Sequence, residues 1–297
     1  PAVHTYTSTL HSFAAFSGDA MPMNEVFTPG RLKEYEDWLL QRRLSWNTIS
    51  TYMRTLQAVY NRLSPPGTPE HNPRLFDDVY TKVKSQIKRA LTEEQMGRLM
   101  HADLDVLSEE LQRVQAYFLL MFLFRGMPFI DLAHLRKRDV KDGKIAYRRH
   151  KTGKQITLRI PREALPLLKE FKDKDETSLY LFPILNAAPE GDDALYECYQ
   201  KALRNFNKML RVLAKRLLPG IKISSYTARH TWATLAYHIG MPIGIICQAL
   251  GHSSIRVTET YLKPFENEKV DKANRKLIST VKKHEGRSGR CFIYYKT

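Results

Sequence analysis

Cysteine is scarce in this sequence, and its few cysteines follow no metal or disulfide spacing. Only Cys198, Cys247 and Cys291 occur in 297 residues, without a C-x-x-C pair or a Cys/His cluster. A disulfide-rich secreted scaffold or a zinc site would require such spacing. The sequence therefore predicts reduced thiols, a cytoplasmic location and no bound metal.

Long hydrophobic runs are also missing. The longest, AYFLLMFLF at 116–124, has nine residues, whereas a membrane-spanning helix needs about 20. This run predicts a buried helix, and we expect no membrane partner. No signal peptide is visible. The sequence opens Pro-Ala-Val, inside a helical pattern and without an initiator Met, which predicts that upstream residues are missing.

Negative charge is in short supply relative to positive charge. The chain has 47 Lys and Arg against 31 Asp and Glu, a formal net charge of +16, and an isoelectric point of about 9.7. This surplus favours nucleic acid as a partner, because Lys and Arg gain free energy when they displace counterions from phosphates. An anionic membrane surface, or a basic soluble protein without such a partner, is the alternative.

The first 85 residues contain a clear helical periodicity. Ser45 or Asn47 is suited to cap one of these helices, since either side chain can accept a backbone N–H. Together the segments predict a helical N-terminal domain over 1–85. Apolar residues recur at helical spacing in four segments, 2–16, 30–43, 42–63 and 75–84.

A basic segment, KVKSQIKRAL at 82–91, precedes a new helix start. Thr92-x-x-Gln95 matches a capping box, in which two side chains satisfy free backbone N–H groups at the start of a helix. These signals predict a basic linker at 86–91 and a second domain over 92–297. The linker either lies along DNA or is a solvated connector.

The second domain is predicted to combine several helices with a small β-structure. Ser108 is placed to cap an apolar core helix over 109–126. Residues 142–161 alternate apolar and polar side chains around a turn-like KTGK, which is typical of a β-hairpin with a basic tip. The fold class is therefore mainly α with a small β-hairpin, an α+β domain behind a helical one. Further helices are predicted at 162–171, 192–217, 227–239, 242–249, 254–261 and 266–281.

Separate regions of the second domain carry groups suited to phosphate chemistry. They are FLFRGMPFIDLAHLRKRD at 122–139, RRHKTGKQ at 148–155, SSYTARHTWAT at 224–234 and LGHSSIRVTETY at 250–261. In this order the sequence resembles the tyrosine recombinase or phage integrase family, from about residue 25 to about residue 280. Its motifs look like the branch carried by mobile elements and DNA invertases of Bacteroides-like bacteria.

The resemblance implies a helical core-binding domain followed by a catalytic domain that exchanges DNA strands. A tyrosine hydroxyl would attack a backbone phosphate, form a 3′-phosphotyrosyl bond and free a 5′-hydroxyl, and a partner strand would reverse the step. Guanidinium groups suit this reaction because they pair with the nonbridging oxygens, where charge concentrates in the transition state. Bond energy is conserved, so the resemblance implies no ATP, metal or other cofactor.

By matching position, the resemblance makes Tyr261 the nucleophile, Arg229 a phosphate clamp and His252 a hydrogen-bonding group for the phosphate. Lys151 at the hairpin tip matches the general-acid lysine, and Lys154 is close enough to be confused with it. The alternatives are structural ones: a core tyrosine, a surface arginine, a capping or core histidine.

Two positions depart from the family's pattern, and the smaller departure is at Tyr226. The family usually has a histidine three residues before its second arginine, where this sequence has Tyr226. A phenol can donate and accept a hydrogen bond, but it is a poor general base near neutral pH. Tyr226 stays a predicted site residue with a weakened role, and His230 is predicted to pack against the site.

The larger departure concerns the family's first arginine, whose matching position is Pro128. Arg125 lies three residues earlier and is predicted to replace it, since residues three apart on a helix share a face. Gly126 and Pro128 interrupt such a helix, so a donor such as Arg148 or Arg149, or no replacement, is the alternative. Asp131 matches the acidic position that orients an arginine or the lysine, or it is a helix cap.

The resemblance also implies a partner and an assembly. Double-stranded DNA would be gripped by both domains, with a homotetramer on paired sites and a possible accessory DNA-bending protein. The helix at 266–281 either docks into a neighbouring protomer or folds back on its own domain. Each DNA-contact candidate taken alone also fits a generic solvated charge. The candidates are Arg43, Asn47, Thr48, Arg54, Lys84, Lys88, Arg89, Arg136, Lys137 and Arg138.

The predicted function is site-specific recombination that integrates, excises or inverts DNA. Two alternatives remain open at this point. One is a DNA-binding relative that no longer cleaves, because two site positions depart from the pattern. The other is an enzyme like a type IB topoisomerase, which relaxes DNA through the same chemistry without pairing two sites.

Overall fold

A computed structural model describes residues 2–18, 22–82, 90–102, 107–185, 191–265 and 267–284. The chain divides into two compact units, residues 1–86 and 87–297. The predicted contacts Lys84, Lys88 and Arg89 lie outside the described residues.

The first unit is built of helices whose starts are capped as their sequences suggest. Thr28 Oγ1 accepts the Arg31 N–H, and Ser45 Oγ accepts the Thr48 N–H, so Ser45 rather than Asn47 is the N-cap. These bonds satisfy N–H groups that have no partner within the helix. The helices are α1 (Ala2–Ser17), α2 (Met23–Val26), α3 (Pro29–Gln41) and α4 (Trp46–Leu63), which confirms the first three predicted segments.

The predicted helix at 75–84 is wrong over its described part. Residues 75–78 form turns and residues 79–82 an irregular segment, although Leu75 and Phe76 are buried in the core of this unit as a helical pattern would require. The Tyr80 N–H donates to the carboxylate of Glu36 at 2.5 Å instead of to a carbonyl one turn earlier. This long-range bond, which a periodicity pattern does not reveal, replaces the ladder of a helix.

The second unit is mostly helical, and its predicted helices are confirmed within a few residues. Thr92 and Gln95 form the predicted capping box. Two short elements were missed, the five-residue helix Phe129–Ala133 and a 3-10 helix at Lys137–Asp139. The helices are α5 (Glu93–Met100), α6 (Glu109–Leu123), α7 (Phe129–Ala133), α8 (Ala164–Phe171), α9 (Asp192–Leu217), α10 (Ser225–His238), α11 (Ile243–Leu250), α12 (Ile255–Glu259) and α13 (Asn267–His284).

Helix α6 forms the centre of the core, as its apolar run predicts, but it ends earlier than expected. It stops at Leu123 rather than 126, because Arg125 and Gly126 adopt left-handed backbone conformations with φ of 60° and 68°. A Cβ at Gly126 would lie 3.1 Å from the Arg229 Cα. The turn therefore brings the backbone of residue 126 against α10.

The hairpin is part of a three-stranded antiparallel sheet in the order β1 (Val140–Lys141), β2 (Lys144–Arg148) and β3 (Gln155–Arg159). Tyr147 pairs with Ile156, and buried and exposed residues alternate along both long strands. The sheet thus buries one face, and the tip carries the KTGK sequence as predicted. The structure is mainly helical with this one small sheet among the described residues, which confirms the predicted fold class.

Helix α13 carries an apolar face that is exposed among the described residues. Its residues 267–281 are exposed, including Val270, Leu277, Ile278 and Val281 on one face. Within the described segments, no helix combines the length and apolar character needed to cross a membrane. No cluster of three or more His, Cys, Asp or Glu suited to a metal ion occurs in those segments either.

Candidate active site

Arg229 lies in the first half of α10 and is buried, with 2% of its surface exposed. Its Nη1 donates to the Gly126 carbonyl at 2.7 Å and its Nη2 to the Leu250 carbonyl at 2.6 Å. The left-handed turn after α6 and the end of α11 therefore fix the guanidinium in one orientation. Burial, followed by the charge of Arg149, lowers the pKa of the Arg229 guanidinium from its ordinary value.

His252 follows the left-handed cap Gly251 at the end of α11, and its side chain meets Arg229. Arg229 Nη2 donates to His252 Nε2 at 2.8 Å, and a guanidinium has donors only. His252 Nε2 must then accept, so we assign the ring proton to Nδ1, which donates to Thr258 Oγ1 at 3.0 Å. Burial and the surrounding cations lower the pKa of His252 to about 3. The ring is therefore neutral at physiological pH.

Tyr261 lies two residues after the end of α12, and its partly buried ring packs against Arg229 and His252. The ring centroid lies 4.9 Å from that of His252 and 4.8 Å from that of His230, and 5.5 Å from the Arg229 Cζ. The Tyr261 carbonyl accepts hydrogen bonds from His230 Nδ1 and Thr234 Oγ1, both at 3.3 Å. These two residues of α10 hold the backbone that carries the phenol.

The hairpin tip brings two lysines towards this group. Lys154 Nζ donates to the His252 carbonyl at 3.4 Å, whereas Lys151 is exposed. The charges of both lysines contribute to the lowered pKa of His252. Arg229, His252, Tyr261 and the tip of the hairpin are thus brought together from segments far apart in sequence.

Arg149 and Asp131 form a buried ion pair beside Arg229. Arg149 Nε lies 3.4 Å from Asp131 Oδ2, and the two side chains are 7% and 1% exposed. Asp131 Oδ1 also accepts the His150 N–H at 2.8 Å. Asp131 therefore anchors the end of β2 rather than capping a helix. The alternation along β2 continues to Arg149, so the sequence pattern did contain the signal that this arginine faces inward.

Arg125 and Tyr226 are less closely tied to the group. Arg125 is half-buried in the left-handed turn, with no hydrogen bond or ion pair to another described residue. Tyr226 lies one turn before Arg229, its side chain is 51% exposed, and its ring is 6.4 Å from that of His230. Desolvation, followed by the nearby Tyr261, raises the pKa of Tyr226.

The described DNA-contact candidates lie in two clusters, one in each unit. Thr48 belongs to the cap of α4, and Arg54 Nε donates to the Ser50 carbonyl at 3.3 Å. Lys137 Nζ donates to the Asp175 carbonyl, while Arg136 and Arg138 are exposed. The clusters are Arg43, Asn47, Thr48 and Arg54 at the start of α4, and Arg136, Lys137 and Arg138 around the 3-10 helix.

Positive charge predominates around Arg229, His252 and Tyr261. The pKa of His252 is lowered by burial and then by Arg229, Arg149, Lys151 and Lys154 in that order. The Asp131 carboxylate is the one anion paired with any of them among the described residues. An excess of cations around a tyrosine suits an anion such as a phosphodiester, whose charge the site would balance.

Comparison with known proteins agrees with this arrangement. The model of the Phage integrase family matches residues 89–268, and that of the Phage integrase SAM-like domain matches residues 2–63. Tyrosine recombinase XerA of Pyrococcus furiosus is 28% identical over 248 residues, 80% of this chain and 79% of that protein. A tyrosine recombinase of Thermosipho africanus is 23% identical over 226 residues, 75% of this chain and 74% of that protein.

Solved structures share the fold. The integrase of the transposon Tn1549, in complex with transposon right end DNA, has a TM-score of 0.67, 14% identity and coverage of 93% of both chains. A lambda integrase tetramer bound to a Holliday junction has a TM-score of 0.62 and 14% identity, with 88% of this chain and 71% of that chain covered. The integrase model spans more than half of the sequence, so the chain belongs to the phage integrase family.

Proposed function

We propose that this chain is a site-specific DNA recombinase, which cleaves and rejoins DNA through a 3′-phosphotyrosyl intermediate. The observation that carries the proposal is the contact of Tyr261 with Arg229 and His252, two groups that bond each other at 2.8 Å inside a cationic site. Curated relatives that match most of the chain are named tyrosine recombinases, which supports the same reaction.

The first step is a substitution at phosphorus with Tyr261 as the nucleophile. Its oxygen forms a bond to phosphorus while the bond to the 5′-oxygen breaks, and the phenol proton passes to the surrounding water. Lys151 gives a proton to the leaving 5′-oxygen. The Arg229 guanidinium stabilises the charge that develops on the nonbridging oxygens. Attack by the 5′-hydroxyl of a partner strand then releases Tyr261 and completes strand exchange.

His252 acts here as a neutral hydrogen-bonding group. Its lowered pKa keeps the ring uncharged at neutral pH, so Nε2 orients Arg229 as an acceptor without adding a further positive charge. Tyr226, on the same face of α10 as Arg229, is proposed to line the edge of the site as a hydrogen-bonding phenol. Arg125 takes no part in this step, because no hydrogen bond to another described residue directs its side chain towards the site.

Double-stranded DNA is the proposed partner, and a homotetramer on paired sites the proposed assembly. The net charge of +16 supports the first, and a solved lambda integrase tetramer on a Holliday junction supports the second by likeness of fold. The described clusters at the start of α4 and around the 3-10 helix would contact phosphates. An accessory DNA-bending protein and a cytoplasmic location belong to the same proposal.

We propose the division of the chain on the same grounds. Residues 1–85 would be the core-binding domain, 86–91 a basic linker and 92–297 the catalytic domain. The split of the chain into compact units at 1–86 and 87–297 supports this division. The matches of two separate family models, to residues 2–63 and 89–268, support it as well.

The first test is whether Tyr261 forms the covalent link. A nicked DNA duplex carrying the recombination site, taken from the ends of the encoding element, should trap a denaturant-resistant protein–DNA adduct. Tyr261→Phe should abolish that adduct, because the phenyl ring keeps the packing and loses the nucleophile. Tyr196→Phe, on α9, serves as the matched control and should leave the adduct unchanged.

Other outcomes would decide against the proposal. An adduct that persists in Tyr261→Phe assigns the nucleophile elsewhere. Binding of the site without any adduct favours a non-cleaving relative. Relaxation of supercoiled plasmids that lack the site favours a topoisomerase-like enzyme.

A further inference from the structure

Arg229 offers a phosphate no fork of two free parallel donors, because both N–H bonds of its Nη2 are engaged and its free Nε is buried. Its Nη1 bonds the Gly126 carbonyl, and its Nη2 bonds both the Leu250 carbonyl and His252 Nε2. A phosphodiester exposes two nonbridging oxygens, and a planar guanidinium holds such oxygens best with two parallel donors. The structure therefore calls for a second guanidinium beside Arg229.

Arg149 occupies that place. Its Nη1 donates to the Leu250 carbonyl at 3.0 Å, the oxygen that also accepts from Arg229 Nη2 at 2.6 Å. Two atoms bonded to one oxygen lie within about 6 Å of each other, the sum of the two bond lengths. Nη1 also donates to the Gly251 carbonyl at 3.3 Å. Arg149 Nη2, by contrast, has no hydrogen-bond partner among the described residues.

Arg149 is held rigidly enough to act as a preorganised donor. Its side chain is 7% exposed, and Asp131 fixes its Nε at 3.4 Å. The Arg149 N–H donates to the Lys154 carbonyl at 2.9 Å, and its carbonyl accepts the Gly153 N–H at 2.8 Å. These backbone bonds join Arg149 to the turn that carries Lys151. A donor fixed before the reaction costs no reorganisation when charge develops.

The neighbouring charges agree with this position. Arg149 exerts a larger effect on the pKa of His252 than either lysine of the hairpin tip, and it is the strongest charge acting on Arg229. Arg125 has no hydrogen bond to another described residue that would direct its side chain, and Pro128 has no side-chain donor.

We propose that Arg149, and not Arg125, takes the place of the family's missing first arginine and pairs with a nonbridging oxygen of the scissile phosphate beside Arg229. Asp131 is then its positioning residue. The inference rests on the proposed function, since it needs a phosphodiester in the site.

A substrate with a neutral scissile group tests the proposal. In a nicked duplex with a methylphosphonate at the scissile position, a methyl group replaces one charged nonbridging oxygen. Arg149→Ala should lower adduct formation on the ordinary phosphate about 100- to 1,000-fold, but less than about 10-fold on the methylphosphonate, where less charge needs stabilising. Arg125→Ala, the matched control, should stay within about 3-fold of wild type on both substrates.

The ratio of the two rates cancels any difference in the folded fraction, because both substrates meet the same preparation. If Arg149→Ala does not fold, Arg149→Lys is used, since it keeps a cation near Asp131 and loses the planar fork. Added guanidinium should also restore part of the Arg149→Ala rate on the phosphate substrate.

Three results would overturn the assignment. They are a wild-type rate for Arg149→Ala, an equal loss on both substrates without rescue by guanidinium, and a charge-selective loss for Arg125→Ala. Absence of any adduct with the wild-type chain would instead contradict the proposed function itself.

Discussion

His252 illustrates how one buried residue links the stability of the site to pH. Its Nε2 accepts from Arg229 and its ring lies against Tyr261, while cations on the hairpin and on α10 surround it. Protonation would add a positive charge to this group and remove the acceptor of Arg229. The folded state therefore resists proton uptake that the unfolded chain accepts with a pKa of about 6.5.

The expected consequence is a loss of stability in mild acid. Because the folded pKa of His252 is lowered to about 3, its contribution is complete above the unfolded pKa and is lost as the pH falls from about 6.5 towards 3. Between pH 7.5 and 5, the wild type should lose about 1 to 2 kcal/mol more unfolding free energy than His252→Asn. Denaturant unfolding at both pH values measures this difference.

The control for this measurement is His11→Asn, which removes an exposed histidine of the first unit. It should reproduce the pH dependence of the wild type. An equal change of unfolding free energy with pH in the wild type and in His252→Asn would show that a lowered pKa of His252 does not cause the loss of stability.

At the scale of residues, the sequence predicts the central group directly but leaves open which guanidinium lies beside Arg229. Tyr261, Arg229 and His252 were named by position, and the structure brings them into contact. Helix geometry favours Arg125 over Arg149 in the sequence, whereas the chain turns left-handed at Arg125 with φ of 60°. Three carbonyl and carboxylate partners decide the orientation of Arg149, and such long-range bonds leave no periodic signal in a sequence.

The element that aligns the two arginines is the end of α11. Gly251 closes this helix with φ of 65°, and a Cβ there would lie 2.8 Å from both Arg149 Cδ and Ile156 Cδ1. The helix end therefore packs directly on the hairpin, and its carbonyls can reach both guanidinium groups only because residue 251 has no side chain.

Gly251→Ala should displace Arg149 and weaken the fold. Left-handed backbone costs about 1 to 2 kcal/mol for alanine, and overpacking against Arg149 and Ile156 adds about 1 to 3 kcal/mol. Gly143→Ala is the matched control, since Gly143 has φ of 70° and open space around its Cα. It should show the backbone cost alone in denaturant unfolding, with a normal rate of adduct formation.

Equal destabilisation by the two substitutions would contradict the close approach of α11 to the hairpin. A normal cleavage rate in Gly251→Ala would show that this contact does not hold Arg149 in place.

Elements with a strong period were predictable, and those set by single distant bonds were not. Helix α9 matches its predicted range at 192–217 because its apolar stripe runs unbroken. The segment 75–82 buries the same apolar residues that a helix would, but the Tyr80 N–H donates to the Glu36 carboxylate instead of to a helix carbonyl. Helix α6 was extended too far, because nothing in an apolar run shows that Arg125 adopts a left-handed conformation.

At the scale of the whole molecule, α13 is exposed along residues 267–281 in the part of the chain that the structure describes. Its apolar residues fall at spacings that share one helix face, and each is about half exposed or more. A lone amphipathic helix gains little stability by itself in water. Burial of this face against a second copy would contribute roughly 25 cal/mol per Å² of apolar surface.

Substitutions on α13 should therefore affect assembly and leave the isolated chain unchanged. Replacing Leu277 and Ile278 by Ser should reduce formation of the four-chain complex on paired DNA sites at least about 10-fold, as measured by analytical ultracentrifugation. Unfolding free energy should stay within about 0.5 kcal/mol of wild type, since exposed side chains add little to the fold. Replacing Lys272 and Lys276 by Ser changes exposed basic positions of the same helix and is the control for general loss of DNA affinity.

The two pairs of substitutions separate two roles for this helix. If substitution of the two lysines lowers assembly as much as substitution of Leu277 and Ile278, α13 acts through its charge on DNA. The prediction of a protein–protein contact is then wrong. If only the apolar pair lowers assembly, while cleavage at a single site persists, the helix joins protomers. Arg229, His252 and Tyr261 would then be complete within one chain, and the apolar face of α13 would set how many chains act together.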